Sequence, residues 1–158
     1  RSSFPSRNGP LIRYTLLYHT KDIFLAVSSS GINPFIIEMA QLAGAKGARV
    51  VGISAFGYRQ KPSRHKDGLH LPDVCDLCID NHVPVGDASV AVCKDGTRAG
   101  PVSSIASLAI ADAVVLAACQ ELRLRGIDPE VFRSGNCDGG DAYNGRLLRR
   151  FGARVRSL

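Results

Sequence analysis

Residues 23–43 read IFLAVSSSGINPFIIEMAQLA, an apolar run that breaks into three serines and a glycine and reopens at once as an amphipathic helix. Such a junction gathers hydroxyls and unpaired backbone N–H groups at the positive end of a helix dipole, where an anion is favoured. Asn33 is the predicted N-cap and Pro34 suits the first helical position, while Ile36, Ile37, Met39, Ala40 and Ala43 recur at core-facing spacing. The junction has neither the dinucleotide glycine fingerprint nor the Gly-Lys-Ser ending of a nucleotide-triphosphate loop. The sharper expectation is therefore a cradle of Ser28, Ser29, Ser30, Gly31 and Asn33 for a small phosphate ester. The plainer one is a polar strand-to-helix turn.

Outward from this junction the chain keeps alternating. A strand is expected over 22–28, a helix over 34–46 closed by Gly47, and a second strand over 49–54, whose unbroken apolar character suits a parallel sheet covered on both faces. A basic loop, 55–72, is broken by Gly57, Pro62, Gly68 and Pro72, and a third strand follows over 74–80. After a loop through 100, a long helix is expected from Pro101 to Arg125 with Gly126 as its C-cap. Its Ala-rich, nearly all-round apolar surface suggests burial against the sheet or a partner subunit. Residues 11–19 are ambiguous, a short helix being one reading. Strands separated by single helices imply right-handed crossovers and a three-layer α/β/α, doubly wound parallel sheet. The 158 residues suit a single domain.

In such a sheet the ligand lies beyond the carboxyl ends of the strands. Ser54 follows the second strand, with Ser63, Arg64 and His65 in the loop beyond it, and Asp80, Asn81, His82 and Asp87 follow the third. Ser103 and Ser104 sit at the start of the long helix, a second place for an anion. Hydroxyls, a histidine and carboxylates at one rim suit a hydroxyl-rich phosphorylated substrate. Taken singly, His65 reads as a solvated loop residue and Asp80 or Asp87 as a turn cap.

Composition narrows the classes. An apolar content of 45% with 22% charged residues is ordinary for a globular domain, and no segment reads as a convincing membrane span. The net charge of +6 is concentrated in Arg59, Lys61, Arg64 and Lys66 and in Arg146, Arg149, Arg150, Arg154 and Arg156. Neither cluster is interleaved with the aromatics that base stacking uses, so nucleic acid is not the expected partner. The first ten residues, RSSFPSRNGP, lack the apolar core of a secretory signal. Five cysteines without a disulfide framework suit a reducing cytoplasm. Cys75 and Cys78 form a C-x-x-C inside VCDLCI, with no second pair to complete a zinc site, and read as small hydrophobes on a buried strand rather than as a metal or redox site. No cofactor is expected.

The segment FLAVSSSGINPFIIEMAQLAGAKGARVVGISA resembles the central part of the sugar isomerase (SIS) domain, the phosphosugar-binding module of phosphoheptose isomerases and glucosamine-phosphate synthases. SRHKDG, DLCIDNHVPVGDASV, AGPVSSIASLAI and FRSGNCDGGDAYN are similar to a less characterised SIS family related to phosphoheptose isomerase. The resemblance covers about Lys21 to Arg150. It implies an SIS-type, flavodoxin-like fold, a sugar phosphate held by Ser28, Ser29, Ser30 and Asn33, and a homo-oligomer. Asn33 stands where serine or threonine is commoner, and its amide N–H can still meet a phosphate. The helices and first strand with which SIS domains open have no counterpart here. Residues 1–20 are therefore expected to be the connection after them and the fold to be incomplete at the N-terminus, with 128–158 as a C-terminal extension.

The implied chemistry is aldose-ketose isomerisation, in which a base removes the proton beside the carbonyl and an acid protonates oxygen in an enediol-like transition state. His65 is the first candidate for acid/base work and Glu38, on the second turn of the cradle helix, the second. Asp112 is a third, expected on one stripe with Ile105, Leu108, Leu116 and Cys119 and more suited to a buried structural pairing. A non-catalytic phosphosugar-binding or sensing module is the alternative. In the C-terminal block, Ser134, Asn136, Asp138 and Asp141 precede a short basic helix, where capping and subunit contact are expected of the carboxylates ahead of a divalent metal.

Overall fold

Three apolar runs pair as a parallel sheet. In the computed structural model, which describes residues 22–152, β1 (Ile23–Val27), β2 (Arg49–Ser54) and β3 (Leu77–Asp80) lie side by side in the order β1-β2-β3. The connecting segment 1–20, the ambiguous stretch 11–19, Arg154 and Arg156 lie outside the described residues. Register places Leu25, Val51 and Leu77 in one row, Ala26, Gly52 and Cys78 in the next, and Val27, Ile53 and Ile79 in the one after. The carboxyl ends of all three strands therefore meet at one edge, as an α/β fold requires of its ligand rim.

The helix between the first two strands, α1 (Pro34–Ala45), turns Ile37, Ala40 and Ala43 inward, all fully buried. Alanines on that stripe let the helix approach β1 and β2 closely, so Ala26, Val50 and Leu71 close the core against it. At its other end Gly47, at φ +87°, donates its N–H to Gly44, and Ala48 donates to Ala43. This left-handed closure satisfies the last carbonyls and turns the chain into β2. The opposite side of β1 is less covered, with Ile23 69% and Leu77 of β3 58% exposed.

The described residues divide into two compact units, with the boundary between residues 111 and 112. Within the first, β3 begins at Leu77 and not at 74 as expected, because residues 71–73 form a 3-10 turn and Asp76 reaches back to β2. Its carboxylate accepts the Val50 N–H at 2.7 Å, and its own N–H donates to the Val50 carbonyl. The loop expected through 100 holds a small antiparallel hairpin, β4 (Val90–Ala91) with β5 (Arg98–Ala99), turned at Gly96. Two-residue strands are too short to leave a period in the sequence.

The unit boundary falls inside α2 (Ser103–Leu124), which ends at Gly126 in the same glycine closure as α1. This helix corrects two expectations. Its apolar side chains are exposed, Ile105 72%, Leu108 66% and Leu116 69%, and Ser107 is its one buried residue. Asp112 is exposed with them, so the buried pairing expected of it is absent. Among the described residues α2 also has the length and apolarity of a membrane-crossing helix, by length and composition alone, against the expectation that no segment has them. From Ser103 to Gln120 it carries a single charged residue, Asp112.

In the second unit, α3 (Gly140–Phe151) is anchored by Asn144, whose side chain accepts the Arg133 N–H and donates to the Arg133 carbonyl. The Tyr143 ring lies under the guanidiniums of Arg133, at 4.0 Å, and Arg146, at 5.3 Å. Gly139 at φ +72° is the N-cap and no side chain caps the helix, so neither Asp138 nor Asp141 plays that part. Asp141 lies in the first turn, where its charge suits the helix dipole. Among the described residues, no three His, Cys, Asp or Glu side chains cluster as a metal would need.

Candidate functional site: the serine loop between β1 and α1

The loop 28–33 is held open from below by β2. Ser28 donates its N–H to the Ile53 carbonyl, and its Oγ accepts the Gly31 N–H at 3.2 Å. The Ser29 carbonyl accepts two bonds, from the Ala55 N–H at 2.8 Å and from Ser54 Oγ at 3.3 Å. Gly31 lies at φ +61°, and a Cβ there would stand 2.6 Å from Ser54 Oγ and 3.3 Å from Leu71 Cβ. Glycine is thus required twice over, for its backbone angle and for the space. Its carbonyl accepts the Leu71 N–H at 2.8 Å, which ties the loop to the 3-10 turn before β3.

The start of α1 is uncapped. Asn33 is in the N-cap position, yet its side chain makes no capping bond and the first turn has no acidic residue. The expected cap is replaced by a bond across the rim, in which the Arg64 guanidinium donates to Asn33 Oδ1 at 3.3 Å. The Arg64 N–H also donates to the Ile32 carbonyl at 3.0 Å. Ser29 Oγ is shielded from solvent and meets no hydrogen-bond partner among the described residues. Unfilled donors, a helix dipole and an exposed guanidinium therefore converge at one loop. The sequence places Arg64 at the rim, in the loop with Ser63 and His65, but does not give its partner. Its pairing with Asn33, 31 residues away, left no local signal.

His65 is buried, its side chain 2% exposed, which corrects the solvated-loop reading. Its Nδ1 accepts the Asp67 N–H at 3.2 Å, its own N–H donates to Ser63 Oγ, and Ser63 Oγ donates to the Leu69 carbonyl. Glu38 lies on the exposed side of α1. The structure therefore brings Ser28, Ser29, Ser30, Gly31, Asn33 and Ser54 together with the loop carrying Ser63, Arg64 and His65.

Asp87 and Ser103 form a second group. The Asp87 carboxylate accepts the N–H groups of Val102 and Ser103, at 3.0 and 2.8 Å, and the Ser103 hydroxyl. It thereby takes the place at the start of α2 that an anion would otherwise occupy. These bonds, the Ser103 hydroxyl foremost, hold its carboxyl below the usual range against the opposing effect of desolvation. Ser104 is exposed beside it. Asp80 accepts N–H groups from Phe56, at 3.1 Å, and His82, at 2.9 Å, pinning the loops after β2 and β3 together. Burial raises its pKa, but those two bonds and the nearby His82 outweigh it and the net shift is downward.

Residues 11–55 match the SIS domain, a span that contains β1, the serine loop, α1 and β2. Over 135 residues the chain is 37% identical to a UPF0309 protein of Streptomyces avermitilis, covering 85% of this chain and 54% of that one. It is 38% identical over 137 residues to a UPF0309 protein of Geobacillus thermodenitrificans, covering 86% and 55%. A UPF0309 protein of Halalkalibacterium halodurans aligns over 155 residues at 33% identity, covering 96% and 64%. The chain spans about half the length of the first two of these curated relatives and under two thirds of the third. The SIS match thus lies on the strand, serine loop and helix that build the rim, and over that span the chain is similar to the SIS domain.

Proposed function

We propose that the loop 28–33 binds the phosphate of a phosphorylated sugar, and that the protein interconverts aldose and ketose forms of that sugar. The observation that carries this reading is the uncapped N-terminus of α1 with Arg64 beside it. An anion there meets free N–H donors, serine hydroxyls and a guanidinium in one place. Ser28, Ser29, Ser30, Gly31 and Asn33 form the cradle, while Ser54 and Ser63 hold its walls. Asp87, with Ser103 and Ser104 at the start of α2, is proposed to meet the sugar hydroxyls. A homo-oligomer in the cytoplasm suits this reading.

In the isomerisation, a base takes the proton from the carbon beside the carbonyl and returns it to the former carbonyl carbon, with no net change in composition. His65 is the first candidate for that exchange and Glu38 the second. A second reading, a non-catalytic sugar-phosphate sensor, is favoured by one observation: the His65 ring is buried and its Nδ1 already accepts the Asp67 N–H.

The test is thermal unfolding with a panel of hexose and heptose phosphates, the matching free sugars and inorganic phosphate. A selective rise is expected with one sugar phosphate, equivalent to about 2.7 kcal/mol at a hundredfold excess over Kd. Absence of any shift in folded protein overturns the cradle. Turnover of the bound sugar phosphate, lost in His65→Asn, separates isomerase from sensor. Asparagine keeps an acceptor for the Asp67 N–H but cannot exchange a proton near neutral pH.

A further inference from the structure

The C-x-x-C pair lies outside the phosphate site, yet its two sulfurs converge. A Cβ built on Gly52 would stand 2.7 Å from Cys75 Sγ and 2.9 Å from Cys78 Sγ, so both thiols fill the space that this glycine leaves over β2. Both cysteines are free and half-buried. Three residues apart in the chain, they face one point because Cys78 pairs with Gly52 in register while Cys75 precedes the strand. Two small hydrophobes on a strand would not need to share one neighbour in this way.

The thiols are also unequal. A hydrogen bond between them, ahead of burial and the charges of Cys78 and Asp76, holds the Cys75 thiol well above the ordinary range. The same bond brings Cys78 below it, against burial and with help from the Arg59 guanidinium. Cys78 is thus the better thiolate and Cys75 the protonated partner. The one Cys75 hydrogen is shared between Cys78 Sγ and the Leu71 carbonyl, 3.1 Å from Cys75 Sγ, and the Leu71 N–H donates to the Gly31 carbonyl.

We propose that Cys75 and Cys78 are a reversible dithiol–disulfide couple, and that its redox state is felt at the Gly31 loop through Leu71. The oxidant is a low-molecular-weight disulfide. The Cys78 thiolate attacks one of its sulfurs and expels a thiolate, forming a mixed disulfide. Cys75 then attacks the Cys78 sulfur and expels the second thiolate. One S–S bond forms in the protein as one is lost from the oxidant, and two electrons reduce the small disulfide to two thiols; the Cys75 proton goes to one leaving thiolate, and the other takes from solvent the proton that Cys78 gave up on ionising. In the disulfide, Cys75 has no hydrogen left for the Leu71 carbonyl. The turn that holds Gly31 is then loosened.

The test uses the chain with Cys93, Cys119 and Cys137 changed to serine, so that Cys75 and Cys78 are its only thiols. After equilibration with excess glutathione disulfide, unfolding and alkylation, the proposal expects both thiols to be protected without a retained glutathione and to be recovered by dithiothreitol. Cys75→Ser in the same background is expected to keep glutathione on Cys78. Two free thiols, or glutathione on both cysteines, would overturn the couple. Amide exchange at Leu71 is expected to be faster in the oxidised form than in the reduced form, and identical exchange would overturn the link to Gly31. Neither readout depends on a sugar phosphate being bound.

Discussion

Arg64, in the loop after β2, donates to the side-chain oxygen of Asn33 at the start of α1, 3.3 Å across the rim. That bond takes the residue best suited to cap α1 and leaves the helix dipole facing outward beside a cation. Arg64→Ala should therefore weaken sugar-phosphate binding. A hydrogen bond to a charged group contributes about 1.5–3 kcal/mol, so the expected loss in affinity is roughly 10- to 100-fold. Arg64→Lys should restore part of it, since a lysine supplies the charge without the planar fork. Titration calorimetry with the sugar phosphate found by the thermal panel measures this. Because Arg64 is exposed, circular dichroism should be unchanged.

Gly31 tests the cradle from the backbone side. An alanine there adopts φ +61° at a cost of about 1–2 kcal/mol, before any clash. Its methyl would also stand 2.6 Å from Ser54 Oγ. Gly31→Ala should lower the denaturant midpoint, and Ser54→Ala in the same chain should recover the part due to the hydroxyl. No recovery would mean that the loss comes from φ and the Leu71 contact alone.

These two residues also show what the sequence could reveal. The serine loop, the helix after it and the glycine closures at Gly47 and Gly126 follow local rules, and they stand where periodicity and turn chemistry predict them. The buried stripe Ile37, Ala40 and Ala43 was legible for the same reason. Arg64 with Asn33, Asp87 with the start of α2, and the convergence of two thiols over Gly52 join residues 31, 16 and about 25 positions apart, and no window of sequence encodes them. The exposure of α2 escaped for another reason. Its composition is that of a buried helix, and composition does not say whether the covering partner is present.

Asp87 gives the fold a pH dependence. Its carboxyl is held below the usual range by the Ser103 hydroxyl and by the N–H groups of Ser103 and Val102, so the folded state favours the ionised form. The stabilisation is fully present above the unfolded carboxylate value of about 3.9. It is lost as pH falls through the lower folded value. A melting-temperature series from neutral pH downward should therefore fall less steeply in Asp87→Asn than in the wild-type chain. At neutral pH the same substitution should lower the melting temperature, because a neutral amide caps α2 less well than a carboxylate. Equal slopes in the two proteins would remove Asp87 as the cap of α2.

Gly52 links packing to thiol chemistry. The residue is buried, and a methyl at its Cβ would press on both Cys75 and Cys78. Overpacking of a well-filled site costs about 1–3 kcal/mol, so Gly52→Ala should unfold at lower denaturant. Separating the sulfurs also breaks the hydrogen bond that lowers Cys78, so its alkylation near neutral pH should slow at the same time. The two effects can be told apart with Cys75→Ala. That change removes the nearer sulfur and should return most of the lost stability to Gly52→Ala, yet leave Cys78 slow, since its partner is gone. If Cys78 in Gly52→Ala were alkylated as fast as in the wild-type chain, its reactivity would not come from Cys75.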